Sequence, residues 1–285
     1  MTLEDLLSRR TFLASAAGSV AALAGSSLSS CADIAVPEGC ATGDGPQGNL
    51  YKLCPAGSLK SVSPYGDSGL TWDGQHIWLL GKDLIIPGND VGTTGWLYQL
   101  TPALNIVSSF KLPQQYPEDI TWDGEHLWWT AYNNTTGDSL QEIFKYTRDG
   151  KEVASYVSPG TGVCYGIAWD GQSLWHLNEG DSATGSKMFK TDREMNVLDS
   201  FLLPYGKAAT ALEWDGSQFW HADFWNSRLQ VTNPKGEITM SFPMPEGKKY
   251  FGVMRDGSHI WTTGYKNFKV DGQIGEINKF EYTRK

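Results

Sequence analysis

The sequence predicts an all-β protein in which one four-stranded unit recurs around a closed ring. Three observations carry this. First, one stretch is rewritten almost unchanged at Gly69–Trp78, Asp119–Trp128, Gly166–Trp175, Ala211–Trp220 and Gly252–Trp261. Four copies read apolar-x-Trp-Asp-Gly-x-x-apolar-Trp, and the fifth puts Arg255 where the others have the first Trp. Second, the Asp residues at 73, 123, 170, 215 and 256 stand 50, 47, 45 and 41 residues apart. Third, the segments between copies read as two further strands joined by turn residues. Asp-Gly between apolar runs marks a hairpin and predicts a type I′ turn, with φ > 0 at both central residues. A strand-only repeat of this length is the blade of a β-propeller. Five copies predict five blades; six is the alternative.

The N-terminus reads as an address. Ser8-Arg9-Arg10-Thr11-Phe12-Leu13 matches the twin-arginine (Tat) export motif, and a mildly apolar Ala/Gly/Ser/Leu stretch runs to Leu28. That stretch is too short and too mild to span a bilayer. Leu28-Ser29-Ser30-Cys31 looks like a bacterial lipobox, which implies cleavage before Cys31 and its lipidation. Several acyl chains anchor a protein stably where one does not. Residues 1–31 are therefore expected to be a lipoprotein signal, 32–48 a Gly/Pro/Asp-rich tether, and 49–285 one propeller domain. The expected location is the periplasmic or outer face of a bacterial membrane. In an oxidising compartment Cys40 and Cys54 are the disulfide candidates, which leaves Cys164 as a buried, inert thiol.

In chain order the domain opens with strands at 49–53 and 58–62. Each hairpin is then followed by a loop, a third strand and a fourth. The third strands fall at 96–100, 143–146, 187–190 and 228–231, the fourth at 106–112, 152–157, 197–203 and 237–242. The chain ends with a last hairpin and a strand at 276–282. Strands from both termini combine into the closing blade, which removes a free sheet edge, although one strand is then in surplus. All five Asp-Gly turns fall on one plain face. The loops 82–95, 133–140 and 180–186 fall on the other, where variation over a fixed frame places function.

Composition narrows the partners. The formal net charge is −9, and no run of Lys and Arg exists to hold phosphates, so nucleic acid is excluded. Twelve Trp, twelve Tyr and 32 Gly suit stacked sheets with tight turns. A monomer is expected. Gly66-Asp-Ser-Gly69 echoes a serine-protease motif but lies on an inter-blade loop without a triad.

His176 and His221 follow the second Trp of their hairpins, where other copies have Leu79, Trp129 and Thr262. Neighbouring blades are expected to bring them together, with Asn178 and Asp223 two residues on along the same strand face. Such a set would hold a metal or an acid–base pair, with Glu213 as a further catalytic candidate. The alternative is two histidines hydrogen-bonded in the core. At the strand ends of the variable face, Glu118, Asp119, Tyr132, Tyr165, Asn178, Glu179, Asp223, Trp225 and Tyr265 are the candidate ligand-binding residues. Carboxylates and aromatics there suit a small cationic, peptide or protein ligand. Oxygen ligands would also suit Ca²⁺, and a His set Zn²⁺.

The repeated Leu-Thr-Trp-Asp-Gly-x-x-Leu-Trp, followed by Leu-Tyr-Lys-Leu and Ser-Phe-x-Leu-Pro, resembles exported bacterial propellers grouped with the five-bladed glutamine cyclotransferases. Members of that family convert an N-terminal Gln to pyroglutamate. The resemblance covers most of 49–285 and is one of scaffold. Here Glu118-Asp-Ile-Thr121 and Tyr165-Gly-Ile-Ala168 stand where that family has a Thr-Gln-Gly-Leu-like blade start, and its Glu-Ser-Thr-Gly stretch does not occur. Two functions follow as expectations: an anchored extracytoplasmic binding propeller, or a cyclotransferase-like or metal-assisted enzyme with its site at the channel mouth.

Overall fold

The structure is a computed structural model that describes residues 33–34, 41–44, 50–62, 67–82, 94–132, 141–179, 185–203, 209–224, 226–244, 248–266 and 274–284. Among the described residues every regular element is a strand. β1 (Asp33–Ile34), β2 (Ala41–Asp44) and β3 (Leu50–Lys60) come first. Blade one follows as β4 (Asp67–Trp72), β5 (Ile77–Lys82), β6 (Thr94–Leu100) and β7 (Ile106–Gln115). Blade two is β8 (Pro117–Trp122), β9 (Leu127–Tyr132), β10 (Gln141–Tyr146) and β11 (Glu152–Val157). Blade three is β12 (Cys164–Trp169), β13 (Leu174–Asn178), β14 (Lys187–Thr191) and β15 (Val197–Leu202). Blade four is β16 (Ala209–Trp214), β17 (Phe219–Asp223), β18 (Arg228–Thr232) and β19 (Ile238–Pro243). β20 (Lys248–Arg255), β21 (His259–Lys266) and β22 (Ile274–Arg284) end the chain.

Each blade is an antiparallel meander with its first strand innermost. The fifth has the order β20-β21-β22-β3, so its outermost strand comes from the N-terminal part of the chain. The ring therefore has five blades and closes through both ends. The two strands expected at 49–53 and 58–62 are one continuous strand, and the surplus disappears. Pro55 and Gly57 read as a break, but β3 stays paired with β22, and a register shift at Lys279/Phe280 absorbs the interruption opposite Pro55. β2 pairs with Leu50–Leu53 of β3 and meets β19 at Ser241, joining the outer edges of blades four and five. β1 pairs with Ser58 and Leu59. Both short strands fall within the segment read as a tether. Cys54 is disulfide-bonded, Cys40 lies outside the described residues, and Cys164 is free and buried.

Every Asp-Gly hairpin is closed by its Asp side chain. Oδ1 accepts the backbone N–H groups two and three residues on, and Oδ2 accepts the indole N–H of the Trp five residues on. All fifteen bonds measure 2.6–2.9 Å. The expected type I′ turn does not form. Only the Gly of each turn has positive φ, at 94°, 94°, 96°, 99° and 91° for Gly74, Gly124, Gly171, Gly216 and Gly257. The carboxylate takes over the turn's hydrogen bonding, so the Asp backbone need not enter the left-handed region. Burial raises these carboxyls, but hydrogen bonds from Trp and backbone, with a nearby charged partner, outweigh it. Asp73, Asp123, Asp170 and Asp256 are thus held below the ordinary carboxylate value.

The same carboxylates meet cations of the next blade. Arg148 of blade two stacks over Trp122 and reaches Asp73 of blade one at 3.2 Å. Arg193 of blade three stacks over Trp169 and reaches Asp123 at 3.2 Å. Arg255 stands where the other inner strands end in Trp, and its Nη1 donates to the Asp215 carbonyl at 3.2 Å. Between blades the packing is apolar. Each hairpin's second Trp faces the following blade: Trp175 packs on Leu212 and Phe219, Trp220 on Val253 and Ile260. The next residue faces the preceding blade, as Trp129 does against Trp78 and Leu97.

The clamp predicts coupling between its two ends. Asp170→Ala and Trp175→Phe should each destabilise, with a double-mutant coupling of about 1–2 kcal/mol. Urea denaturation of the four proteins measures it. Additive effects would show that the indole bond adds nothing.

Candidate functional site

The site begins with a defect shared by all five inner strands. In each, the ladder to the second strand slips by a residue at the same step. Such bulges re-aim side chains and sharpen the local bend. The step holds Gly69, Asp119, Gly166, Ala211 and Gly252, so one blade supplies a carboxylate and the other four supply almost nothing. Asp119 Oδ2 accepts the N–H of Ile167 in blade three at 3.0 Å and of Leu212 in blade four at 2.8 Å. Oδ1 is buried without a partner. A Cβ on Gly69 would overlap that oxygen; one on Gly166 would lie 2.9 Å from the Ala211 carbonyl carbon, and one on Gly252 2.5 Å from the Ser68 carbonyl. Ala211 itself has φ 57°, a strained value for a residue with a side chain. One side chain thus spans the axis and touches three other blades.

Above this layer, one residue nearer the variable face, stand Ser68, Glu118, Tyr165, Thr210 and Phe251. Ser68 and Thr210 are buried, whereas Glu118, Tyr165 and Phe251 keep solvent exposure. Phe251 packs on Phe224, ring centroids 4.6 Å apart, and Lys249 Nζ lies 5.3 Å from the Phe224 ring centre while donating to the Phe224 carbonyl. These residues make up the layer on the variable-face side of Asp119. The sequence reading missed Phe251, because an apolar ring just before a repeat carries no mark that separates a partly exposed side chain from a core one.

His176 and His221 do not converge. Each lies on the strand face opposite its neighbouring Trp, so His176 faces blade two, His221 faces blade three, and the sheet of blade three separates them. Both are fully buried, and burial lowers both to about 3, so they are neutral. His176 Nε2 bonds Thr191 Oγ1 at 2.7 Å. Asn178 exchanges hydrogen bonds with Ser158, and Asp223 holds Asn226 through its backbone and side-chain N–H groups. Glu179 donates its N–H to the Val163 carbonyl. Asn178, Glu179 and Asp223 therefore fasten loops at the variable face. Glu213 lies two steps beyond the Asp119 layer toward the plain face, half-buried, accepting the Arg255 N–H at 3.2 Å. Tyr132 ends β9 and Tyr265 lies in β21, with side chains outside the described residues, as is all of Trp225. Among the described residues no three His, Cys, Asp or Glu side chains come together to hold a metal.

Burial pushes the Cys164 thiol up to about 12, with the charges of Asp119 and Glu118 adding to it. The same cause raises Asp67 to about 7 against a hydrogen bond from Ser61 at 2.5 Å, Glu213 to about 8, and Asp119 well above the usual range against the N–H groups of Ile167 and Leu212. Carboxyls raised in the folded state stabilise fully below about pH 4, and that contribution is lost as pH climbs through 7 and 8. Neutral histidines act oppositely: their contribution is complete above 6.5 and lost as pH falls toward 3. Above 6.5 only the carboxyls act. Melting temperature should therefore fall between pH 6.5 and 8, and Asp67→Asn and Glu213→Gln should each flatten that fall. An alkaline limb unchanged in both variants would refute the assignment.

No family model matches the sequence, and no curated protein does. Solved structures do. Glutaminyl cyclase of Myxococcus xanthus aligns with a TM-score of 0.58 at 12% identity, over 81% of this chain and 97% of that one. The PQQ-bound aldose sugar dehydrogenase of Streptomyces coelicolor aligns with a TM-score of 0.51 at 14% identity, over 90% and 97%. At such identities the likeness is one of fold, and the chain is similar in scaffold to the bacterial glutaminyl cyclase, a five-bladed propeller.

Proposed function

We propose that this propeller is an exported, lipid-anchored binding protein that takes a small molecule or the end of a peptide or protein chain at the variable-face end of its axis. The observation that supports this is the layering at the axis. In the Asp119 layer no further side chain fits at Gly69, Gly166 or Gly252, and one residue nearer the variable face one carboxylate and two aromatic rings stay partly exposed. Glu118 with Tyr165 and Phe251 suits a ligand with positive charge next to an apolar body. The mature chain acts as a monomer and uses no nucleic acid.

Export and anchoring rest on Arg9, Arg10 and Cys31. β1 starts two residues after Cys31 and pairs with the end of β3 that leads into blade one, which is the variable-face end. A lipid on Cys31 would stand two residues before β1 in the chain, so the proposed ligand is one met at a membrane surface. Cys31→Ala should move the protein from the membrane to the soluble fraction with its melting temperature unchanged. Unaltered fractionation would remove the anchor from the proposal.

Calorimetric titration with amines and short peptides bearing a free α-amino group, N-terminal Gln peptides among them, should give saturable binding. Glu118→Gln and Tyr165→Ala should each weaken it about tenfold or more. Binding indifferent to both would refute a ligand site at this end of the axis. Conversion of the Gln peptides to pyroglutamate would establish the enzyme alternative in its place.

A further inference from the structure

We infer that the propeller axis is a binding cradle for one small carboxyl or carboxamide group, and that Asp119 is its built-in occupant. Two backbone donors from different blades, Ile167 N and Leu212 N, converge on a single oxygen at 3.0 and 2.8 Å. Neither blade gains from that convergence unless an acceptor stands at the axis. β12 is the inner edge of its sheet, so the Ile167 N–H is free to face the axis, and Leu212 lies in the unpaired stretch of β16 between Thr210 and Glu213. An unsatisfied buried N–H is costly, so the cradle demands an occupant.

The surroundings are shaped for a group of this size. Gly69, Gly166 and Gly252 occupy the same layer, and no side chain fits at any of them without overlap with Asp119 or with neighbouring backbone. The occupant's second oxygen, Oδ1, is fully buried and accepts no bond. A planar group with one doubly bonded acceptor and one uncommitted atom therefore satisfies everything the cradle offers. Carboxylate, carboxylic acid and carboxamide share that geometry.

The inference is distinct from the variable-face ligand, because the cradle lies in the Asp119 layer itself and is occupied without any ligand. Asp119→Gly gives blade two the residue found in three other blades and leaves a void the size of acetic acid. The variant should melt roughly 5 °C or more below wild type. Acetate or acetamide at about 100 mM should restore at least half of that loss, with neither compound affecting wild type more than chloride at equal ionic strength. Measuring at pH 5 and pH 7 reveals which form the cradle takes, since acetamide keeps one charge state and acetate does not. No rescue by either compound, or a variant as stable as wild type without them, would overturn the inference. Should Asp119→Gly fail to fold alone, refolding in acetamide is the same test. Asp119→Asn supplies a second: the amide proton shifts of Ile167 and Leu212 should stay near their wild-type positions, because the amide oxygen accepts both bonds. A move of both shifts to values typical of unbonded amides would also overturn it.

Discussion

The ring depends on a carboxylate that holds a turn and an indole at once. Each Asp of the five hairpins has four acceptor sites and commits three of them to fixed donors within five residues. One oxygen shapes the turn and the other sets the Trp. That Trp then packs on the following blade, so a local turn fixes the direction in which the sheet is covered. The plain face also becomes a circle of buried negative charge, and Arg148 and Arg193 answer it from the neighbouring blades. At an exposed guanidinium the ion pair adds little by itself. Stacking of each Arg on its own blade's Trp fixes the side chain, so that the pair orients one blade against the next. The fifth hairpin lacks the first Trp, and Arg255 bonds the backbone of blade four directly.

This explains why the fold was legible and where legibility stopped. Five copies of the Asp-Gly hairpin, each with its Trp five residues after the Asp, marked blade number and strand order, because the motif is a complete mechanical unit. Its internal mechanism was misread as a type I′ turn: Asp-Gly is ambiguous between backbone strain at both residues and a side chain that replaces the strain at one. The N-terminal strand was split in two because Pro55 and Gly57 carry the ordinary punctuation of a turn. Pairing with β22 from Tyr51 to Lys60 overrides it.

The candidate site was legible only as a neighbourhood. Glu118, Asp119 and Tyr165 were picked out as variable-face residues, and they do lie on consecutive steps at the axis. Their separate roles follow from a bulge, and a bulge leaves no sign in a single sequence beyond glycine at one position of several repeats. The paired histidines illustrate the opposite error. Equivalence in the repeat is translated by the ring into equivalent faces of successive sheets, and a sheet always lies between equivalent faces. Repeated residues can converge in a propeller only at the axis, where the innermost strands meet.

Asp119 shows what that geometry permits. Every inner strand bends at the same step, so the axis gathers backbone from all five blades into a space where at most one side chain fits. Four small residues are the condition for the fifth to be Asp, and the substitution cannot be made in two blades at once without two carboxyls sharing one void. Burial raises the acid's pKa while the converging N–H groups lower it, and burial wins. The carboxyl that ties blades two, three and four together is thus shifted upward, whereas the hairpin carboxylates are held below the ordinary value. Axis and rim shift in opposite directions because the axis gives Asp119 only backbone N–H groups against full burial, whereas the rim adds indole donors and nearby cations at partly buried carboxylates.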